Sequence, residues 1–194
     1  MKYGILFSGG LESTALLAYY QENNIEVELL YMKFGFLWEK AELYNAKKNI
    51  DKNIKLHVLD FSEQFNFQQL GYVDSVKKNI IPNRNLLLLS TASTYFYNNN
   101  IIDISIGMQG SNLYPDTSLK YIGSLESLIK DGLDEENFMI HMPFYGLSKN
   151  QILSMYLKKI DLNKVFSCTN PIGNNYCNKC YKCMKLNKLK DRAE

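Results

Sequence analysis

The sequence predicts an α/β protein: an open, mainly parallel sheet with helices on both faces, followed by a C-terminal module built on four cysteines. Three observations predict it. Apolar runs of strand length alternate with helical stretches along most of the chain, the pattern of a parallel sheet whose strands are joined by crossover helices. The first apolar run ends in Ser8, Gly9 and Gly10 and passes directly into an apolar helical stretch. All four cysteines, Cys168, Cys177, Cys180 and Cys183, fall in one short stretch near the C-terminus. A chain of 194 residues with 46% hydrophobic content fits one domain, residues 1–194, in which the cysteine module takes roughly residues 165–190.

Each element follows in order. Strand one is read at residues 3–7 and helix one at 13–23, after the glycine turn. Strand two is 26–32, and a helix rich in Ala, Lys and Glu runs over 38–49. Strand three is 55–59; the aromatic stretch 61–81 is irregular and is assigned no element. A helix runs over 84–97, and Asn98, Asn99 and Asn100 make the turn that leaves it, as asparagine tolerates turn conformations. Strand four is 101–107, and a loop over 108–118 leads to a helix near 119–130. Residues 138–142 form a short strand. Ser148 and Gln151 have capping-box spacing at the start of a helix over 148–157. The cysteine module and a terminal helix close the chain. Ligands of open α/β sheets bind beyond the C-terminal ends of the strands. Segments 8–13, 33–36 and 108–116 are therefore expected to converge on one cleft, with the helix start at Pro82, Asn83, Arg84 and Asn85 facing it.

Composition narrows the partners. A net charge of +2 gives no case for nucleic acid. Lys179, Lys182, Lys185, Lys188, Lys190 and Arg192 crowd the last segment; a phosphate or RNA contact is one reading, and a solvated, partly frayed terminal helix is the one preferred. No apolar run approaches the roughly 18 residues of a membrane span, so no membrane partner is expected. Met1 leads straight into a strand, without a leader segment, and a cytoplasmic location is expected.

The glycine turn and the cysteines carry the chemistry. Glycines let a ligand approach the backbone amides closely, and a helix N-terminus offers unpaired N–H groups and partial positive charge to a phosphate. The segment SGGLES is neither a Walker loop nor a dinucleotide fingerprint. An ordinary strand–turn–helix is the plain alternative. The cysteines are spaced C-x8-C-x2-C-x2-C. Four thiolates at this spacing can surround one zinc ion in a closed, structural site. The alternatives are two disulfides or buried thiols; a reducing compartment disfavours the disulfides.

The loop at Ser8–Gly9–Gly10–Leu11–Glu12–Ser13 resembles the SGGxDS loop of the PP-loop ATP pyrophosphatases, which have an adenine nucleotide alpha hydrolase-like fold. With the cysteine pattern behind it, the chain resembles the 7-cyano-7-deazaguanine synthase family. Internal stretches agree in order: IPNRNLLLLS at 81–90, DISIG at 103–107, Tyr114-Pro115-Asp116, and PFYGLSK at 143–149. The sequence departs from the family pattern at three places. Glu12 stands where the family usually has Asp. The segment Phe34-Gly35-Phe36-Leu37-Trp38 lacks the Gln, Arg and His of a YGQRH-like segment, and Thr117 and Ser118 stand in place of Cys and Arg.

The resemblance implies an ATP-dependent ligase of 7-deazaguanine and queuosine biosynthesis. It would adenylate 7-carboxy-7-deazaguanine, admit ammonia, and use a second ATP to reach the nitrile 7-cyano-7-deazaguanine. It implies that Phe7, Ser8, Gly9, Gly10, Leu11, Glu12, Ser13 and Thr14 bind ATP together with Arg84. Ser8, Glu12, Ser13 and Arg84 would carry the catalytic roles. Glu12 would act through Mg²⁺ or by fixing the loop; its plain role is a first-turn acid favoured by the helix dipole. Arg84 can offer a bidentate fork to phosphate or be a surface arginine. Asp116 is either a reader of a guanine-like edge or a turn aspartate after proline. Phe34, Phe36 and Trp38 stack on a flat heterocycle or belong to the core. Phe34, Tyr114 and Asp116 are the candidate substrate residues, and His57 and His141 read as packing residues. Homodimers are common in the resembled family.

Other readings remain open at this point. The carboxylate could be joined to a different amine, including one on a protein. The zinc module and basic tail could belong to a tRNA-sulfurtransferase-like or RNA-binding module. Glu12 also suits a non-catalytic, nucleotide-binding homologue.

Overall fold

A computed structural model describes residues 2–65, 83–110, 114–156 and 158–191. Ile81, Pro82, Arg192 and most of the unassigned stretch 61–81 lie outside the described residues.

Five strands form one fully parallel sheet: β1 (Lys2–Leu6), β2 (Glu26–Lys33), β3 (Lys55–Asp60), β4 (Asp103–Ile106) and β5 (Met139–His141), in the order β3-β2-β1-β4-β5. The helices are α1 (Leu11–Glu22), α2 (Glu39–Asn49), the one-turn α3 (Ser62–Phe65), α4 (Arg84–Tyr97), α5 (Leu119–Leu133), α6 (Lys149–Tyr156) and α7 (Tyr181–Lys190). Chain direction reverses sheet position at β1, whose neighbours are β2 and β4. That is the switch point at which open α/β sheets bind ligands.

Alternation along the central strands feeds two cores. Ile5, Val27 and Leu29 pack with α1 and α6 residues such as Leu16 and Ile152. Leu6, Leu30, Met32 and Ile104 pack on the other face with Leu89 and Phe96 of α4 and Ile122 of α5. Gly4 is needed there, since a Cβ on it would lie 2.4 Å from the Phe96 ring.

The element boundaries differ from expectation by a few residues. Helix one begins at Leu11 rather than Ser13, with Gly10 as its N-cap in extended backbone. Strand four begins at Asp103 rather than Ile101, because the Asn98–Asn100 turn is closed by Ile101 N donating to the Phe96 carbonyl at 2.9 Å. Asn100 has the positive φ of 60° that such a turn requires. The capping box at α6 is reciprocal: Ser148 N donates to Gln151 Oε1 at 2.8 Å, and Gln151 N donates to Ser148 Oγ at 3.3 Å. His57 and His141 are hydrogen-bonded inside the fold, His57 to Glu28 and Tyr95 at 2.6 Å each, His141 to Asp103 at 2.7 Å. No helix among the described residues is long and apolar enough to cross a membrane.

Candidate active site and cysteine module

The turn after β1 is braced from within. Ser8 N donates to Ser13 Oγ at 3.3 Å, Ser13 Oγ donates to the Gly10 carbonyl at 3.2 Å, and the Ser8 and Ser13 hydroxyls lie 3.3 Å apart. The α1 N-terminus receives no side-chain cap, so its first-turn amides keep their capacity for an anion. Gly9 has φ +73°, and a Cβ on it would meet Ala46 of α2 at 3.2 Å. Its requirement is thus backbone shape and packing against α2. Of the two turn glycines, Gly10 lines the cleft.

That cleft has a volume of about 740 Å³ and lies beyond the C-terminal ends of β1, β2 and β4. It brings together Phe7, Ser8, Gly10, Leu11, Glu12 and Ser13, along with Phe34, Arg84, Tyr114 and Asp116. Gly9 and Thr14 are not among its lining residues. Glu12 is ion-paired with Lys149 of α6. Arg84, at the start of α4, makes no ion pair among the described residues. Asp116 accepts from Asn85 N at 3.0 Å through one oxygen, which ties the Pro115–Thr117 turn to the α4 N-terminus, where Asn83 supplies no cap of its own.

The segment after β2 is an aromatic wall. Phe34 and Phe36 are buried at 4% and 8% exposure; Phe34 stacks on Phe61 and Phe36 on Trp38. The buried Glu39 carboxylate holds the turn, accepting from Phe34 N at 2.7 Å and Gly35 N at 2.8 Å. Burial pushes the Glu39 carboxyl above the usual range, opposed by the amides of Phe34, Gly35 and Phe36. Glu42, one turn along α2, accepts from the buried Tyr31 hydroxyl at 3.0 Å. Its carboxyl is raised by burial, opposed by Lys182, Tyr31 and Arg84.

The cysteine module closes the cleft from the other side. Phe166 N donates to the Gly9 carbonyl at 3.0 Å, a direct backbone link between the module and the glycine turn. Asn45 of α2 donates to the Asn174 carbonyl at 2.9 Å. All four cysteines are buried and free of disulfides, with their sulfurs within 4.8 Å of one another. Cys177 and Cys183 sulfurs are 3.9 Å apart, and those of Cys168 and Cys180 are 4.0 Å apart. Tetrahedral bonds of about 2.3 Å would set sulfurs about 3.8 Å apart, so the donor set fits one zinc ion. Burial works against the Cys180 thiolate, yet hydrogen bonds from Thr169 and Cys183 bring its pKa down to about 6, whereas burial pushes the Cys168 and Cys183 thiols up, so a bound ion would have to displace their protons.

A family model described as queuosine biosynthesis protein QueC matches residues 2–190. The chain belongs to the QueC family. A curated relative, 7-cyano-7-deazaguanine synthase 1 of Desulfitobacterium hafniense (strain Y51), is 31% identical over 217 aligned positions, covering 100% of this chain and 96% of the relative. Solved structures share the fold at low identity. NMN synthetase from Francisella tularensis superposes with a TM-score of 0.51 at 16% identity, over 98% of this chain and 75% of that one. A 4-thiouridine synthetase in complex with RNA and bound ATP gives a TM-score of 0.53 at 14% identity, over 99% of this chain and 53% of that one.

Within this QueC-family cleft stand residues that sequence reasoning did not assign to a site. Lys149 was visible only as the end of the PFYGLSK segment. Glu39, Glu42 and Tyr31 carried no signal beyond their place beside the aromatic segment. The sequence places Lys182 and Lys185 in a solvated tail; in the structure α7 runs through Lys190 and both residues line the cleft. Leu186 and Leu189 explain the difference: they bury at 4% and 6% exposure and hold α7 against the domain.

Proposed function

We propose that the protein is an ATP-dependent carbon–nitrogen ligase converting 7-carboxy-7-deazaguanine and ammonia to 7-cyano-7-deazaguanine, with AMP and pyrophosphate as nucleotide products. The observation that carries this reading is membership of the QueC family over residues 2–190, supported by an uncapped helix N-terminus opening on the cleft behind the SGG turn.

A carboxylate is a poor electrophile because oxide would have to leave. In the proposed sequence a substrate carboxylate oxygen attacks the α phosphorus of ATP. The bond from that phosphorus to the α–β bridging oxygen breaks, and pyrophosphate leaves with the electron pair. Ammonia attacks the acyl carbon, loses a proton, and AMP departs. The amide oxygen then attacks the α phosphorus of a second ATP, a second pyrophosphate leaves, and loss of AMP and two protons gives the nitrile. The protein need supply no nucleophile; positioning and charge stabilisation suffice.

Ser8, Gly10 and the α1 amides around Leu11, Glu12 and Ser13 would hold the phosphates, with Gly9 and Thr14 supporting the turn from behind and Phe7 closing its floor. Arg84 would neutralise charge on the transferring phosphate. Glu12 suits Mg²⁺: it is a half-exposed carboxylate beside the phosphate turn, and magnesium takes one or two carboxylates alongside phosphate oxygens and water. When bound, the ion would neutralise the leaving pyrophosphate. Phe34, Tyr114 and Asp116 would border the heterocycle, Phe34 through the wall it builds with Phe36 and Trp38.

The test is incubation with ATP, Mg²⁺, 7-carboxy-7-deazaguanine and ammonium, followed by mass spectrometry. The nitrile, AMP and pyrophosphate are expected. ADP and phosphate as the main products would overturn the mechanism. A second reading, in which the activated carboxylate is joined to another amine, is favoured by the apolar, buried Phe34 and Phe36 at a segment that is polar in the resembled pattern; AMP release without nitrile, restored by a different amine, would select it.

A further inference from the structure

The cysteine module places a lysine in the cleft. Lys182 lies between Cys180 and Cys183 on the first turn of α7, and Cys180 Sγ caps that turn by accepting from Cys183 N at 3.4 Å. The backbone on both sides of Lys182 is thereby fixed by buried sulfurs. Its side chain lines the cleft, with the amine 5.6 Å from the centre of the Trp38 ring.

Desolvation works to lower the pKa of this amine, and the charges acting on it come from four other helices: Glu42 of α2 and Glu12 of α1 favour the ammonium form, Arg84 of α4 and Lys149 of α6 oppose it. Lys182 therefore stands between the aromatic wall and the phosphate turn. Among the described residues its amine makes no hydrogen bond and no ion pair. The neighbouring cations are differently placed. Lys149 is taken by Glu12, and Lys185 lies 5.9 Å from the Tyr181 ring, on the helix's own flank. The segment from Phe34 to Trp38 supplies no cation at all. A flat, carboxylated heterocycle resting against Trp38 would have the Lys182 amine beside it, while Arg84, also unpaired among the described residues, is assigned above to the transferring phosphate.

We propose that Lys182 binds the carboxylate of the substrate and presents it to the α phosphate of ATP, so that the cysteine module forms part of the catalytic cleft. The inference rests on the ligase reading above and goes beyond it by assigning the carboxylate its cation. An ammonium ion offers three donors and a compact charge, which suits a carboxylate that must keep one oxygen free to attack.

The experiment compares the zinc-loaded full chain with Lys182→Met and Lys182→Arg by calorimetric titration of two probes, 7-carboxy-7-deazaguanine and its decarboxylated analogue 7-deazaguanine. Zinc content and melting temperature serve as controls for folding. Wild type is expected to prefer the carboxylate. Lys182→Met should bind it roughly 10- to 100-fold more weakly, the worth of a hydrogen bond to a charged group, while its affinity for 7-deazaguanine stays the same and its zinc is retained. Lys182→Arg should keep part of the preference. Unchanged carboxylate affinity in Lys182→Met, with wild type still releasing pyrophosphate, would overturn this inference and leave the ligase reading standing. Equal losses in Met and Arg would overturn the role of charge. No carboxylate preference in wild type would overturn both.

Discussion

Glu12 and Lys149 hold each other beside the glycine turn, and their pairing sets what each substitution should do. If Glu12 serves magnesium, Glu12→Gln removes the charge that the ion needs, and Glu12→Asp keeps it on a shorter stem. Pyrophosphate release at saturating ATP and Mg²⁺ should fall at least about 100-fold in Gln and far less in Asp. Equal rates for Gln and wild type would assign Glu12 to the helix end alone, where neutralisation costs only about 0.3–1 kcal/mol of stability. The two glycines separate shape from access. Gly9→Ala places a side chain in left-handed backbone and against Ala46, at a strain cost of about 1–2 kcal/mol, so its melting temperature should drop together with activity. Gly10→Ala keeps ordinary backbone, as its φ of −73° shows, and should weaken ATP binding with little change in melting. Differential scanning fluorimetry with and without ATP distinguishes them. That the turn and Arg84 line one cleft, and that the cysteines cluster, was legible in the sequence because these segments are local and their spacing is fixed. Lys149 and Lys182 were not: each acquires meaning only when a distant helix delivers it to the cleft, and nothing in a lysine's neighbours along the chain reports that delivery. Asp116 shows the same limit, since its hold on the α4 amide of Asn85 depends on a turn meeting a helix start.

At the scale of elements, the strands were the most legible part. Their apolar runs satisfy two buried faces at once, so the pattern survives any choice of helix packing. Ends were harder to place, because hydrogen bonds rather than apolar content decide them: Gly10 caps α1 before the first hydroxyl, and the Ile101 bond to Phe96 delays β4. The β2–β3 edge carries a polar cluster whose purpose the sequence did not disclose. Glu28 of β2 meets His57 of β3 at 2.6 Å, Lys2 of β1 at 3.2 Å and Lys55 at 3.6 Å. Burial works to raise its carboxyl, but these partners outweigh burial and leave it below the ordinary value of 4.5. A depressed carboxyl contributes stability that is complete above the unfolded value and is lost as pH falls below it. Urea midpoints measured from neutral pH down to about pH 3.5 should therefore fall more steeply in wild type than in Glu28→Gln, which starts lower and changes less. Parallel curves would remove Glu28 from the acid response.

The whole molecule is tied together by its smallest module. The four cysteines, Phe166 and Ala41 share one buried cluster, which touches the glycine turn through Phe166 and α2 through Asn45. Zinc should be present at about one ion per chain. Cys180→Ser should lose it, and chelation of wild type should lower the melting temperature by about 10 °C or more, because metal binding and local folding are one event. Circular dichroism should show the loss of α7 before the sheet. Full melting temperature in a metal-free protein would sink the assignment.

The bond from Phe166 to the Gly9 carbonyl also orders events in time. On a translating ribosome β5, the last strand among the described residues, is finished at His141, when the glycine turn still lacks the wall supplied by Phe166 and α7. A chain arrested there has most of the cleft's lining but neither Phe166 nor α7 to close it. Capture of arrested nascent chains on immobilised ATP should stay at background for arrests after His141 and rise only once the residues through Cys183 have left the tunnel. The turn at residues 8–13 would then become competent only when α7, made long after it, packs against the cleft.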